Sequence, residues 1–266
     1  MSESSAPSRQ EIFSRTARLL GCGALDRLQK ANVIIFGVGG VGSWAAETLI
    51  RTGVGNLTIV DADVVAVSNI NRQLPALTST VGTPKVETLR DHLLLINPEA
   101  NITAVHGLYN AQTAAEFNIG AFDYVIDCID SLADKALLIL NATGAAKQAA
   151  KDGHTVQFFS SMGAALKTDP SRISVTEFWN VKGCPLAAAL RRRFKKSSTF
   201  PARKFKCVYS DELVPNSEDF CMPQPTDGPE PMSFGKVAIN GSLMQITAIF
   251  GITLASLVIN SIAASK

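Results

Sequence analysis

No two cysteines in this 266-residue sequence form a C-x-x-C pair. Cys22, Cys128, Cys184, Cys207 and Cys221 are scattered, which argues against a paired-cysteine zinc ribbon and against a disulfide framework. Histidine is equally sparse, and His92, His106 and His154 lie too far apart to suggest a metal site. Charged residues make up 18% of the chain against 46% hydrophobic, which excludes a disordered polymer and predicts a sizeable globular core. An odd number of cysteines and no signal-peptide pattern at the N-terminus lead us to expect a reducing, cytoplasmic setting.

Two local absences of charge are more telling. Arg191–Lys206, "RRRFKKSSTFPARKFK", holds eight basic residues and no acidic one; with a net charge of only +2 overall, the rest of the chain is net acidic. Val237–Ser265 holds no charge at all, a length that would suit a bilayer. Asn240, Ser242, Gln245, Thr247, Thr253 and Asn260 interrupt that run, so a helix buried in a core or dimer interface is the stronger expectation and membrane association the weaker.

Between these features the chain alternates. "NVIIFGV", "GNLTIVD", "ITAVHG", "FDYVIDCID" and "HTVQFFSS" read as strands, and helical stretches run to Thr52, over 82–97 and over 132–150. Such alternation predicts an α/β fold, a doubly wound and mostly parallel sheet, over residues 10–165. Residues 166–266 read as a C-terminal extension: a possible strand in "RISVTEF", a short basic-ended helix in "CPLAAALRRRF", a proline-rich loop over 213–235 and a long apolar helix over 237–264.

The first strand runs straight into "GVGGVGSWAAETL". Gly37, Gly39 and Gly42, with Gly40 between, allow a tight turn and close backbone approach at a helix N-terminus, where the helix dipole favours an anion. Asp61 ends the second strand, where a carboxylate can accept from ribose hydroxyls. To this point a nicotinamide dinucleotide fits as well as ATP. "DADVVAVSNINRQ" then supplies Asp63, Asn69, Arg72 and Gln73, and "VGTPK" places Lys85 at the start of the next helix. Cations beyond the adenosine end do nothing for hydride transfer, but suit the β- and γ-phosphates as the α-phosphorus is attacked. "DCID" adds Asp127 and Asp130, either of which can hold Mg2+, an ion that needs one or two carboxylates plus phosphate oxygens. Singly, Arg72 reads as an ion-pair partner, Lys85 as a solvated lysine and the aspartates as caps; in this order they read as an ATP site.

The same residues resemble the ATP-dependent adenylating enzymes that include the ThiF, MoeB and ubiquitin-activating proteins. The resemblance covers about residues 10–165 and implies a Rossmann-like ATP-binding fold. It implies that the glycines pack under the nucleotide, Asp61 binds the ribose, Asn69, Arg72 and Lys85 contact phosphates, and Asp130 holds Mg2+. It also implies a homodimer in which an N-terminal arginine reaches the partner's nucleotide; Arg15 and Arg18, in "SRTARLLG", both match.

Members that activate the C-terminus of a ubiquitin-like or sulfur-carrier protein commonly hold a four-cysteine zinc site, which this chain lacks. "TARLLG", "GVGGVGSWAAETLIRTGVG", "SNINRQ", "VIDCIDSLADKALLI", "CPLAAALRRR" and "CVYSDE" instead resemble a narrower branch, the tRNA threonylcarbamoyladenosine dehydratases. That resemblance implies adenylation of a threonyl carboxylate on a modified adenosine beside the anticodon, followed by ring closure with net loss of water. For a tRNA substrate, Arg191, Arg192, Arg193, Lys195, Lys196, Arg203, Lys204 and Lys206 are candidate phosphate contacts, with Phe194, Phe200 and Phe205 interleaved. Cys207 would be the nucleophile in a sulfur-transfer or thioester reading, whereas intramolecular cyclisation needs none.

Overall fold

The computed structural model describes residues 8–219, 221 and 240–265. Before the first strand the chain makes three short helices, Arg9–Ile12 (α1), Ser14–Leu20 (α2) and Cys22–Lys30 (α3). Ser8 and Glu11 cap α1 reciprocally, and Gly21, with φ near +85°, sets the break between α2 and α3.

Asn32–Phe36 (β1) leads into Gly42–Thr52 (α4), then Asn56–Asp61 (β2), Lys85–Ile96 (α5) and Asn101–His106 (β3). Tyr124–Asp127 (β4), Leu132–Lys151 (α6) and Gln157–Ser161 (β5) follow. The chain continues through Ile173–Glu177 (β6), Pro185–Ser197 (α7), Lys206–Ser210 (β7) and Met244–Ala264 (α8). One seven-stranded sheet results, in the order β3-β2-β1-β4-β5-β7-β6. Every pairing is parallel except that of β6 with β7. The doubly wound expectation therefore holds, and the sheet runs on past residue 165 through β7 and β6.

Strand periodicity divides the core. Along β1, Val33 and Ile35 join α4, α5 and α8 on one face, while Ile34 and Phe36 join α6 and α7 on the other. The apolar tail starts its helix at Met244 rather than at 237; residues 240–243 are coil and 237–239 fall outside the described residues. Ile246, Phe250, Leu254, Ala255, Val258 and Ile262 of α8 are buried against the sheet. Gly251 permits the closest approach, since a Cβ there would lie 2.3 Å from the Val41 carbonyl oxygen of the turn before α4. Arg27 donates to the Ile262 and Ala263 carbonyls at the far end of α8, satisfying C-terminal acceptors. The length that would suit a bilayer thus furnishes core, with Met244 and Ile252 on its exposed side.

Candidate active site

In the strand order, β1 connects to β2 on one side while β4, reached from β3, lies on its other side, so a crevice opens beyond the carboxyl ends of β1 and β4. Residues from three loops meet there. Gly37 has φ near +86°, and a Cβ on it would lie 2.8 Å from the Cys128 carbonyl oxygen. A Cβ on Gly42 would lie 1.8 Å from the Gly37 carbonyl oxygen, so neither position tolerates a side chain. Gly39 faces Gln73, and Gly40 faces Thr247 of α8. No side chain caps α4, which leaves the positive end of its dipole at the turn. Ser43 ties the turn to the next loop: its hydroxyl donates to the Gly39 carbonyl at 2.6 Å and accepts the Leu74 N–H at 3.3 Å.

At the end of β2, Asp61 accepts the Val38 N–H at 2.7 Å and the Asp63 N–H at 2.9 Å, one on each carboxylate oxygen. Each oxygen keeps a further lone pair for a ligand hydroxyl. Burial raises the Asp61 carboxyl above its usual range, opposed chiefly by the charge of Lys85. Lys85 is buried at the first position of α5, and its Nζ lies 2.7 Å from Asp63 Oδ2. Sequence reasoning named both residues as nucleotide contacts and missed that they pair with each other.

The loop after β2 is itself braced. Asn69 is buried, with its Oδ1 accepting the Ala66 N–H. Arg72 donates from Nη1 to the Ser68 carbonyl and to Asn71 Oδ1, while its own carbonyl accepts the Trp44 indole N–H. Partial burial lowers the Arg72 guanidinium, and the charge of Asp130 pulls it back up, so these two side chains feel each other across the crevice. Gln73 is buried beside the turn, and its Oε1 has no hydrogen-bond partner among the described residues.

The two aspartates of "DCID" separate. The strand expected over 122–130 stops at Asp127, which is fully buried. Lys135, also fully buried, pairs with Asp127 Oδ2 at 2.8 Å, and Ser160 donates to the same oxygen at 2.7 Å. Asp127 Oδ1 accepts the Ile129 N–H, and Lys135 donates to the Ile129 carbonyl. Asp127 is therefore no candidate metal ligand; it anchors the loop on which Asp130 is exposed. Among the described residues no group of three or more His, Cys, Asp or Glu can hold a metal by itself. One exposed carboxylate suits only an ion that takes its remaining ligands from phosphate and water, which is the habit of Mg2+.

Other sequence candidates lie elsewhere. Arg15 and Arg18 are exposed on α2, as is Leu19, which is 84% exposed. No hydrogen bond or ion pair among the described residues joins either arginine to the crevice. Cys207 is fully buried in β7, and burial raises its thiol well above the ordinary value; Cys128 is raised for the same reason. Neither is a ready nucleophile.

The basic segment is not one surface. Phe194 and Phe205 are core residues packed with Phe178, so of the three interleaved rings only Phe200 is available to a partner. Arg191 donates to the Phe178 carbonyl and lies over its ring, and Arg203 donates to the Ala146 carbonyl. Arg192, Arg193, Lys195, Lys196, Lys204 and Lys206 are exposed. Lys206 opens β7, which runs parallel to β5, so this end of the segment sits at the sheet rim opposite the glycine turn. Sequence reasoning named these cations as candidate tRNA phosphate contacts and said nothing of where they lie relative to the nucleotide turn.

The ThiF family profile matches residues 13–266. A tRNA threonylcarbamoyladenosine dehydratase of Haemophilus influenzae is 33% identical over 97% of this chain and 95% of its own length. Its counterpart in Escherichia coli K12 is 35% identical over 93% of this chain and 91% of its own. The crystal structure of the E. coli tRNA N6-threonylcarbamoyladenosine dehydratase in complex with ATP superposes with a TM-score of 0.78 at 32% identity, covering 98% of each chain.

Proposed function

The chain belongs to the ThiF family, and from that premise we propose that it is an ATP-dependent tRNA threonylcarbamoyladenosine dehydratase. What carries the reading is the joining of near full-length similarity to such dehydratases with one crevice that gathers an open helix N-terminus, Asp61, Arg72, Lys85 and Asp130. A carboxylate oxygen of the substrate's threonyl group attacks the α-phosphorus, the bond to the β-phosphate breaks, and pyrophosphate leaves. The ureido nitrogen or oxygen of the same side chain then attacks the acyl carbon, AMP departs with the former carboxylate oxygen, and a proton is lost. The substrate has lost the elements of water.

Each protein group has one task in this scheme. Gly37, Gly39, Gly40 and Gly42 admit the phosphates to the α4 dipole, and Asp61 takes the ribose hydroxyls. Asn69 and Gln73 shape the loop under the nucleotide, the latter with its unpartnered Oε1 as an acceptor. Arg72 and Lys85 neutralise charge on the leaving pyrophosphate, with Asp63 holding the Lys85 ammonium in place. Asp130, with phosphate oxygens, would hold Mg2+, which would supply further neutralisation of that leaving group. Ring closure is intramolecular, so the burial of Cys207 is no obstacle. The lack of C-x-x-C pairs weighs against a carrier-protein substrate.

The test is direct. Incubated with ATP and tRNA carrying the open threonylcarbamoyl adenosine, the protein is expected to release AMP and pyrophosphate and convert the nucleoside to its dehydrated form, read by mass spectrometry of digested tRNA. ATP consumption that needs a carrier protein instead of tRNA would sink the reading.

Arg15 and Arg18, exposed on α2 with Leu19 and joined to their own chain's crevice by no hydrogen bond or ion pair among the described residues, support a homodimer in which one of them completes the partner's site. An Asp130→Ala chain mixed with an Arg15→Ala/Arg18→Ala chain is then expected to regain part of the turnover. In the mixed dimer one site carries both defects and the other neither. Two inactive variants that exchange subunits and recover nothing rule the trans arginine out.

A further inference from the structure

A cleft lies at the end of the sheet away from the glycine turn. β5 and β7 pair only from Phe159 and Lys206 onward, so Gln157 and Phe158 have no β7 partner and the strands part. The gap is about 960 Å³, with the end of β6 and the C-terminal half of α8 as further walls. Its lining has three kinds of chemistry. Arg203, Lys204 and Lys206 supply positive charge, and Phe159 and Leu257 supply an apolar floor. Glu177 supplies an acceptor: its Oε2 takes the Trp179 N–H at 3.1 Å, but its Oε1 is buried without a partner among the described residues. A desolvated carboxylate oxygen of this kind calls for an N–H donor.

We propose that this cleft receives one unpaired cytidine nucleotide of the RNA substrate, its phosphate on the basic rim and its base amine on Glu177. An anion alone would satisfy the cations and leave Glu177 orphaned; an apolar ligand would satisfy neither. A nucleotide carries the anion, a flat ring for the floor, and edge donors. Among pyrimidines cytosine offers the N4 amine that carboxylates accept, whereas uracil offers only an N3–H flanked by two carbonyl oxygens that the carboxylate repels. The cleft lies roughly 15 Å from the crevice, one strand length, so a polymer can occupy both at once while a single nucleotide cannot. This inference rests on the tRNA reading, and it assigns Lys204 and Lys206 to a subsite remote from the chemistry.

Binding of fluorescent hexacytidylate and hexauridylate to the full chain, with ATP present to fill the crevice, tests it. The native protein is expected to prefer hexacytidylate by about tenfold, the scale of one hydrogen bond to a charged group. Glu177→Gln keeps the cap on Trp179 but presents an amide that either base can meet, so the preference is expected to vanish. Lys204→Glu/Lys206→Glu is expected to weaken both hexamers alike and flatten their salt dependence. Equal binding of the two hexamers by the native chain, or an unchanged ratio in Glu177→Gln, overturns the proposal. Conversion of tRNA, measured in parallel, separates the two readings. Native conversion with an unchanged KM in both variants overturns the cleft and leaves the dehydratase standing. A Glu177-dependent preference for hexacytidylate in a chain that converts no tRNA upholds the nucleotide cleft and removes the dehydratase.

Discussion

Asp130→Ala is expected to lower ATP-dependent turnover by about 10²-fold or more, the scale of losing one group that stabilises transition-state charge, with little change in melting temperature. Asp130 is exposed on its loop, and the loop is held by the Asp127, Ser160 and Lys135 contacts below it, none of which involves the Asp130 side chain. The variant removes the only exposed carboxylate of "DCID" and the negative charge that supports the Arg72 guanidinium. Pyrophosphate release and a thermal melt, taken on the same preparation, read the two effects separately. Native turnover in Asp130→Ala, or turnover lost together with the fold, refutes the assignment.

The opposite pattern is expected three residues earlier. Lys135→Met or Asp127→Leu alone leaves a buried, unpaired charge, which costs about 3–5 kcal/mol and lowers the melting temperature by about 10 °C in a chain of this size. Both positions have zero exposure, so solvent cannot compensate. Combining the two substitutions removes both charges and is expected to restore much of the stability. Turnover is not expected to return with it, because the Ile129 N–H and carbonyl lose their partners and the Asp130 loop loses its anchor. A double variant that is stable and fully active shows that the pair does not position the loop.

This contrast also marks the limit of what could be read in the residues. The glycine turn, Asp61 and the strand–helix alternation are local patterns, and the fold places them as expected. Asp127 and Asp130 look alike in sequence; only the point where β4 stops decides which is buried, and strand ends are set by pairing with β1 and β5. Lys135 stands in an apolar helical run, and nothing local says that its ammonium meets Asp127. β7 was hidden because "KCVYS" continues a cationic stretch and its five residues take their order from β5 and β6. Phe194 and Phe205 could pass for stacking platforms until long-range packing put them with Phe178.

The seating of α8 has a consequence for how the chain matures. α8 is synthesised after every other described element, yet it covers the face of α4 and is fastened by Arg27, 235 residues upstream of its acceptor at Ile262. Until it emerges, α4 and the strands beneath have an uncovered apolar face. Such long sequence separation slows folding and prolongs exposure of sticky intermediates. Because Gly40 touches Thr247 and Gly251 touches the first turn of α4, the glycine turn is sealed by α8. A polypeptide cut short before Met244 is therefore expected to lack a finished nucleotide crevice: the shape that engages ATP is acquired late in synthesis, from a segment far beyond the turn it closes.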